Sequence, residues 1–475
     1  MLPVPGGPYS YAAEAREWGP ATYAKVLTPV LFLCAAIVGI GFAVGQPWTA
    51  GIIAAAPIAL LVLWRPEIGV LLLVLYVPFE YFGRIGPSVT LTKFLGIFTL
   101  VALAVHFLGR RQVRLPAALW LAIGFAGWSG LTIMVAQNPD WAMLVWLNRI
   151  QMVGLLFVCL NACEKRPQAE AFLWSLFLGA VFAAVGAMFL TPAPEYPGQP
   201  ETMVRATIAG ININNHAADL LPGLFLMPFL FARTRRLMRL LVLAGLLVVL
   251  VGLVRTGSRA VFIGAYAGIV VGTLFWRGGT LGRRAGLAVG MTTGLAAFVA
   301  VGWAAGLWAT ELWSRLVDLW ERGLESGGRL WMWGHACRMG AEHPLMGVGI
   351  NQYRFELLQY GRSAVAHNDV LTHFAETGIP GLLLYLGFLA AVFAAALRVR
   401  DRWLRAGLVG LFVTASVASL ANPSSGVKHF WFHMAACTLG GLLFGAPREA
   451  TERSGETALG PPPPQRSPSR PLEGA

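Results

Sequence analysis

Charge is what this sequence has least of. Asp, Glu, Lys and Arg make up 12% of its 475 residues, where a soluble globular chain carries about a quarter. That scarcity excludes an ordinary soluble protein. With 56% hydrophobic residues and a mean hydropathy of +0.63, the chain reads as a polytopic membrane protein. Cysteine is also sparse and scattered. Cys34, Cys159 and Cys437 sit in apolar segments, Cys163 at the end of one, and Cys337 alone in a long loop. No disulfide is expected, and no CxxC or His/Cys spacing points to zinc. There is no P-loop, no GxSxG and no HExxH, so ATP-driven transport and hydrolase readings lose support. No internal repeat stands out, which weakens a transporter built from inverted repeats.

What the chain has instead is a regular run of apolar segments. They lie near 26–45, 51–64, 67–83, 89–108, 116–136, 142–162, 170–190, 214–232, 239–255, 260–276, 286–307, 379–397, 406–421 and 429–445. A span needs about 20 mostly apolar residues. The pair at 51–83 is split by Trp64-Arg65-Pro66-Glu67, so either half is a candidate for a short or re-entrant helix. The expectation is an all-α transmembrane helical bundle of 12–14 spans. No cleavable signal peptide is expected. Glu14, Arg16 and Glu17 precede the first apolar run, which serves as a retained span. Residues 1–25 are expected as a tail, 26–445 as one membrane domain, and 446–475, with Pro461 to Pro464, as a disordered tail.

Acids number 23 against 36 Lys and Arg, a net charge of +13. The excess sits in short loops: Arg110/Arg111/Arg114, Lys165/Arg166, Arg233/Arg235/Arg236/Arg239, Arg277/Arg283/Arg284 and Arg398/Arg400/Arg402/Arg405. With the spans above, these loops and both termini share one side, which the positive-inside rule makes cytoplasmic. The basic balance is therefore topology rather than a signal for nucleic acid.

Two loops on the opposite side are long, 191–213 and 308–378, and loops of that length usually carry function. The second begins with an amphipathic helix. Trp308, Leu312, Leu316 and Trp320 recur every four residues, with Trp313 and Val317 beside them. Glu311, Arg315, Asp318 and Arg322 take the other face. Such a helix suits the lipid interface. Gly327-Gly328 ends it, and 329–342 reads as a second short, Trp-rich helix. The pair forms either a lid over the bundle or a wall beside an opening for lipid-anchored molecules.

Ionisable groups in or beside spans are costly, and so are functional candidates. Three places on the long-loop side qualify. The first is His367-Asn368, ahead of a span. A histidine there can be a general base or simply a hydrogen-bonded loop residue. If 368–377 is helical, Asp369, His373 and Glu376 share one face, where a carboxylate can orient an imidazole. Spacing alone leaves open whether His367 or His373 is the base. The second place is Arg259, in a very short turn. It is either a phosphate-gripping fork or an interfacial snorkelling arginine. The third is Arg205, ahead of Asn212, Asn214, Asn215 and His216. Two arginines on one side suggest a diphosphate site, and the alternative is a polar loop with an Asn helix cap. The first loop on that side, QPWTA at 46–50, has no acid, and no Asp-x-Asp lies on that face. If a diphosphate is stabilised, arginine rather than a metal is expected to do it.

The segments HPLMGVGINQYRF (343–355) and AHNDVLTHFAETGIPGLLLYL (366–386) together resemble the signature of the O-antigen ligase and O-antigen polymerase superfamily. Arg329, His343 and the RTGSRAVF turn at 255–262 fit the same pattern, as does the stretch from Arg205 to Asn215. The resemblance covers about residues 200–400 and does not separate ligase from polymerase. It implies a GT-C-like glycosyltransferase of a Gram-negative inner membrane, working at the periplasmic face by inversion, without metal or other cofactor. The implied donor is a glycan on undecaprenyl diphosphate, and for a ligase the acceptor is a sugar hydroxyl of lipid A–core. By that likeness His367 matches the catalytic histidine, and Arg205 and Arg259 match the diphosphate-binding arginines. Asn215, Asn368, His373, Glu376, Arg329 and His343 would support them. The rival readings are a polymerase or protein O-oligosaccharyltransferase of the same superfamily and, more distantly, a flippase for lipid-linked glycan.

Overall fold

The computed structural model describes residues 18–45, 47–83, 90–109, 113–189, 207–208, 212–306, 310–322, 328–358, 360 and 365–445. Each apolar segment read from the sequence is mainly helical over its described residues. The first half of the chain contains α1 (Pro20–Ala43), α2 (Pro47–Trp64), α3 (Pro66–Tyr76), α4 (Leu91–Leu108), α5 (Ala117–Leu131), α6 (Pro139–Ala162) and α7 (Arg166–Phe189). Then come α8 (Ile213–Asp219), α9 (Leu221–Arg233), α10 (Arg236–Arg255), α11 (Arg259–Leu274) and α12 (Leu281–Ala304). The long second loop folds as α13 (Thr310–Arg322), α14 (Arg329–Glu342) and α15 (Tyr353–Leu358). Finally α16 (Asp369–Arg398), α17 (Arg402–Ser419) and α18 (Lys428–Phe444) close the bundle. The fold is all-α, with no strand among the described residues. Arg205, Trp308, Gly327 and the tail 446–475 lie outside the described residues.

Local chemistry explains the breaks. Pro66 sits in the first turn of α3, where no helical N–H is needed, so 51–83 becomes two helices joined at Arg65. Asn138 caps α6 by accepting the Trp141 N–H, with Pro139 at the first helical position. Asp401 caps α17 through the N–H groups of Trp403 and Leu404. Eight helices among the described residues are long and apolar enough to cross a membrane, and two shorter apolar stretches, Ile53–Trp64 and Arg259–Leu274, accompany them. The other expected spans, α3, α8 with α9, α17 and α18, are shorter, broken or more polar. Phe32, Ile97, Leu108, Leu240 and Leu281 are exposed on outward faces, as lipid-facing side chains would be.

The basic turns meet at one end. Arg233 pairs with Glu170 at 2.7 Å and with Asp401 at 3.2 Å, and Arg114 donates to the Glu164 carbonyl at 2.9 Å. At the other end, Asn138 donates its N–H to Gln352 at 2.9 Å and Ile350 donates to Thr132 at 3.1 Å. Asn422 there donates to Asn215 at 2.7 Å. This second end carries α13 to α15.

Close approach of α11 to α17 positions the loop-bearing end of α11. A Cβ on Gly268 would lie 2.4 Å from the Gly410 carbonyl oxygen, and one on Gly272 would lie 2.5 Å from that of Ala406. Small residues at this four-residue spacing let the two backbones touch.

Candidate active site

The site is built where three chain segments start or stop at the loop-bearing end. α11 begins at Arg259 after a tight turn in which Gly257 takes a φ of 60°. Ser258, the residue before it, donates its hydroxyl to Asn214 Oδ1 at 2.8 Å, which ties the turn to α8. α14 begins at Arg329, directly after Gly328 with a φ of 68°. Between them lies α13. Its apolar side buries Leu312 and packs Leu316 against a core containing Val254, Val261, Leu295 and Val299, and Trp313 stacks on Trp303. Its polar side carries Arg315 and Asp318.

Arg259, Arg315 and Arg329 line one cavity of about 190 Å³ with Asn214 and Ala260. A second cavity of about 130 Å³ shares Arg259, Ala260 and Arg329 but is otherwise walled by Ile263, Leu319, Val417 and Ala421. A cationic chamber thus adjoins an apolar one. Arg259 Nη1 donates to Asp318 Oδ2 at 3.1 Å and to the Arg315 carbonyl at 3.2 Å. Burial, and then the positive charges of Arg259 and Arg315, push the Arg329 guanidinium below its usual value.

His367 stands on the approach to α16. Its backbone is left-handed, with a φ of 52°, a conformation uncommon for a residue with a side chain. Two bonds hold that geometry. The Trp333 indole donates to the Ala366 carbonyl at 3.0 Å, and Asn368 caps α16 by accepting the Leu371 N–H at 3.1 Å. The imidazole is half-buried, and its pKa is lowered first by burial and then by the charge of Arg329. An imidazole so placed is neutral at neutral pH and able to accept a proton.

The expected face of Asp369, His373 and Glu376 exists, but it points into the bundle. Asp369 accepts the Ser424 and Ser425 N–H groups at 2.9 Å each. His373 Nε2 meets Ser425 Oγ at 3.1 Å, and its ring packs edge-on against Phe125 and Tyr385. Glu376 accepts from the backbone of Asn351 and Tyr353. These three side chains staple loops onto α16, and none lines the arginine cavity. Asn215 accepts from Asn422, also as a staple.

The HPLMGVG segment is likewise architecture. Its His343 is exposed at the end of α14. Gly347 is left-handed and lies against the backbone of Ala375 to Thr377, and Ile379 donates its N–H to Pro344 at 2.7 Å. The segment docks on the break in α16 at Gly378, where the φ is 64°.

Two arginines lie outside the candidate site residues that the sequence offers. Arg315 looked like an ordinary member of a solvated helix face, and only the docking of α13 turns it toward Arg259. Arg149 lies fully buried in α6, donating to Ser129 with its guanidinium 4.4 Å from the Phe125 ring centroid. A lone arginine inside an apolar run was a visible signal for it. Among the described residues, no group of three or more His, Cys, Asp or Glu is placed to hold a metal ion.

Residues 244–386 match the family model described as O-Antigen ligase. The matched segment, less than half of the chain, contains Arg259, Arg315, Arg329 and His367, and over it the chain is similar to the O-antigen ligase family. A comparison with curated proteins gives no match.

Proposed function

From the premise of an O-antigen ligase segment in a multi-helix membrane chain, we propose that the protein transfers a glycan from undecaprenyl diphosphate to a sugar hydroxyl of lipid A–core. The observation that carries this reading is the convergence of Arg259, Arg315 and Arg329 on one cavity, with His367 near enough to Arg329 to feel its charge. The cavity suits a diphosphate, and the adjoining apolar cavity suits the first isoprene units behind it. His367 takes the proton of the acceptor hydroxyl as its oxygen bonds to the anomeric carbon. The bond from that carbon to the diphosphate breaks on the opposite face, and the configuration inverts. The arginines neutralise the charge left on the departing undecaprenyl diphosphate. Arg205 is proposed as a further contact to it.

The donor is already activated, so the protein has only to position two lipid-anchored substrates, accept a proton and stabilise departing charge. The basic turns at the far end support a periplasmic site in a Gram-negative inner membrane. Trp313, Val317 and Trp320 of α13 are exposed, as suits a wall beside a lateral opening.

The test is transfer by the purified, reconstituted protein from undecaprenyl-diphosphate glycan to lipid A–core, with EDTA present. Product from wild type and none from His367→Ala supports the reading. No product from folded wild type with both substrates supplied overturns it. Deletion in the native host separates the ligase from its relatives. A ligase deletion loses the lipopolysaccharide ladder while long glycan accumulates on the carrier. A polymerase deletion leaves cores with one repeat unit.

A further inference from the structure

We propose that Asp318 sets how strongly an anion must bind to occupy the arginine cavity, by holding Arg259 until a ligand bearing more than one negative charge displaces it. The inference rests on reading the cavity as a diphosphate site.

The geometry is specific. Asp318 Oδ2 sits 3.1 Å from Arg259 Nη1, with the carboxylate side chain 35% exposed and the arginine 19% exposed. Arg259 lines both cavities, the polar and the apolar, whereas Asp318 lines neither. The same nitrogen also donates to the Arg315 carbonyl, so α13 offers Arg259 two acceptors. Arg315 and Asp318 are three residues apart on that helix, which puts them on one face. One helix therefore supplies both a cation of the site and a competitor for its neighbour.

A membrane gives such a competitor a purpose. Three guanidinium groups beside an apolar cavity would take up any acidic phospholipid, and the bulk lipid vastly outnumbers a carrier diphosphate. Asp318 raises the threshold equally for every anion, because each must displace it from Arg259. A phosphodiester brings a single charge and gains little from exchanging one anion for another. A diphosphate can span more than one of the three guanidinium groups with charge-assisted hydrogen bonds, so it stays above the threshold. The carboxylate thus leaves the ranking of ligands alone and lowers the occupancy by bulk lipid.

The test is tryptophan-fluorescence titration of the purified protein in neutral detergent micelles. The titrant is undecaprenyl diphosphate, with and without a large molar excess of phosphatidylglycerol. Wild type should bind the diphosphate and be indifferent to phosphatidylglycerol. Asp318→Asn should bind it roughly two- to fivefold more tightly in lipid-free micelles, the strength of a partly exposed ion pair, and should become sensitive to phosphatidylglycerol. Asp318→Ala should behave alike, which rules out a new amide hydrogen bond as the cause. If both variants melt like wild type, bind no tighter and stay indifferent to phosphatidylglycerol while Arg259→Ala weakens binding, the inference is overturned and the diphosphate site stands. Weaker binding by both variants overturns it as well, since Asp318 would then be orienting Arg259. If wild type binds no diphosphate and Arg259→Ala changes nothing, the reading of the cavity fails and this inference with it.

Discussion

Gly347 lies so close to Ala375 that a Cβ there would stand 2.4 Å from the Ala375 carbonyl oxygen, the same oxygen that accepts the N–H of Val348 at 2.9 Å. The contact seats the loop after α14 on the break in α16. Gly347→Ala should therefore cost about 1–3 kcal/mol for the left-handed backbone alone, and more for the collision with backbone atoms that cannot swing away. Thermal unfolding in detergent should show a large drop in melting temperature. Gly334→Ala is the matched control, because a Cβ there meets nothing within 4 Å. It should be neutral or stabilising by about 0.5–1 kcal/mol in a helix interior. Equal melting of Gly347→Ala and wild type would show that the loop does not need this seat.

Trp333 holds the residue before His367 through its bond to the Ala366 carbonyl. Trp333→Phe keeps an aromatic ring and removes the N–H together with the five-membered part of the indole. The expected cost in stability is about 1 kcal/mol, while kcat should fall by about 10- to 100-fold if the imidazole drifts from its productive position, with KM little changed. An unaltered kcat would reduce the indole to packing.

Much of the fold was legible because its signals are local. Apolar length marks the helices, and Pro66, Asn138-Pro139 and Asn368 mark their starts. The site was legible only in part. Asp369, His373 and Glu376 were expected on one helical face and are, but periodicity fixes a face and not its neighbour, and the neighbours are Ser424, Ser425 and the backbone at Asn351 and Tyr353. Arg259, Arg315 and Arg329 come from the starts of two helices and the middle of a third. Their convergence depends on how α13 docks through Leu312 and Leu316, which no spacing encodes.

The two histidines can be separated by experiment. His373 is buried against Phe125, Tyr385 and Ser425, so His373→Asn should destabilise the protein by about 1–3 kcal/mol and leave the acid limb of the rate–pH profile where it was. His367→Ala should fold normally and lose about 10²–10⁴ in turnover. The assignment reverses if folded His367→Ala keeps its turnover while His373→Asn loses the acid limb.

Arg329 makes the sharpest prediction about pH. The His367 pKa lies below its usual value because of burial first and the positive charge of Arg329 second. A base works in its neutral form, so kcat/KM should rise with pH through that lowered pKa and level off above it. Arg329→Gln removes a charge that disfavours the imidazolium. The pKa should then climb toward the ordinary value of about 6.5, and the acid limb should move to higher pH. Burial remains, so the limb should stop short of that value. Arg329→Lys keeps the charge and should hold the limb in place, while raising the KM for the donor through loss of the planar fork. Profiles of kcat/KM for the three proteins decide the matter. A limb that stays put in Arg329→Gln would mean that Arg329 does not act on His367, and a limb that moves to lower pH would mean that some other group sets the titration.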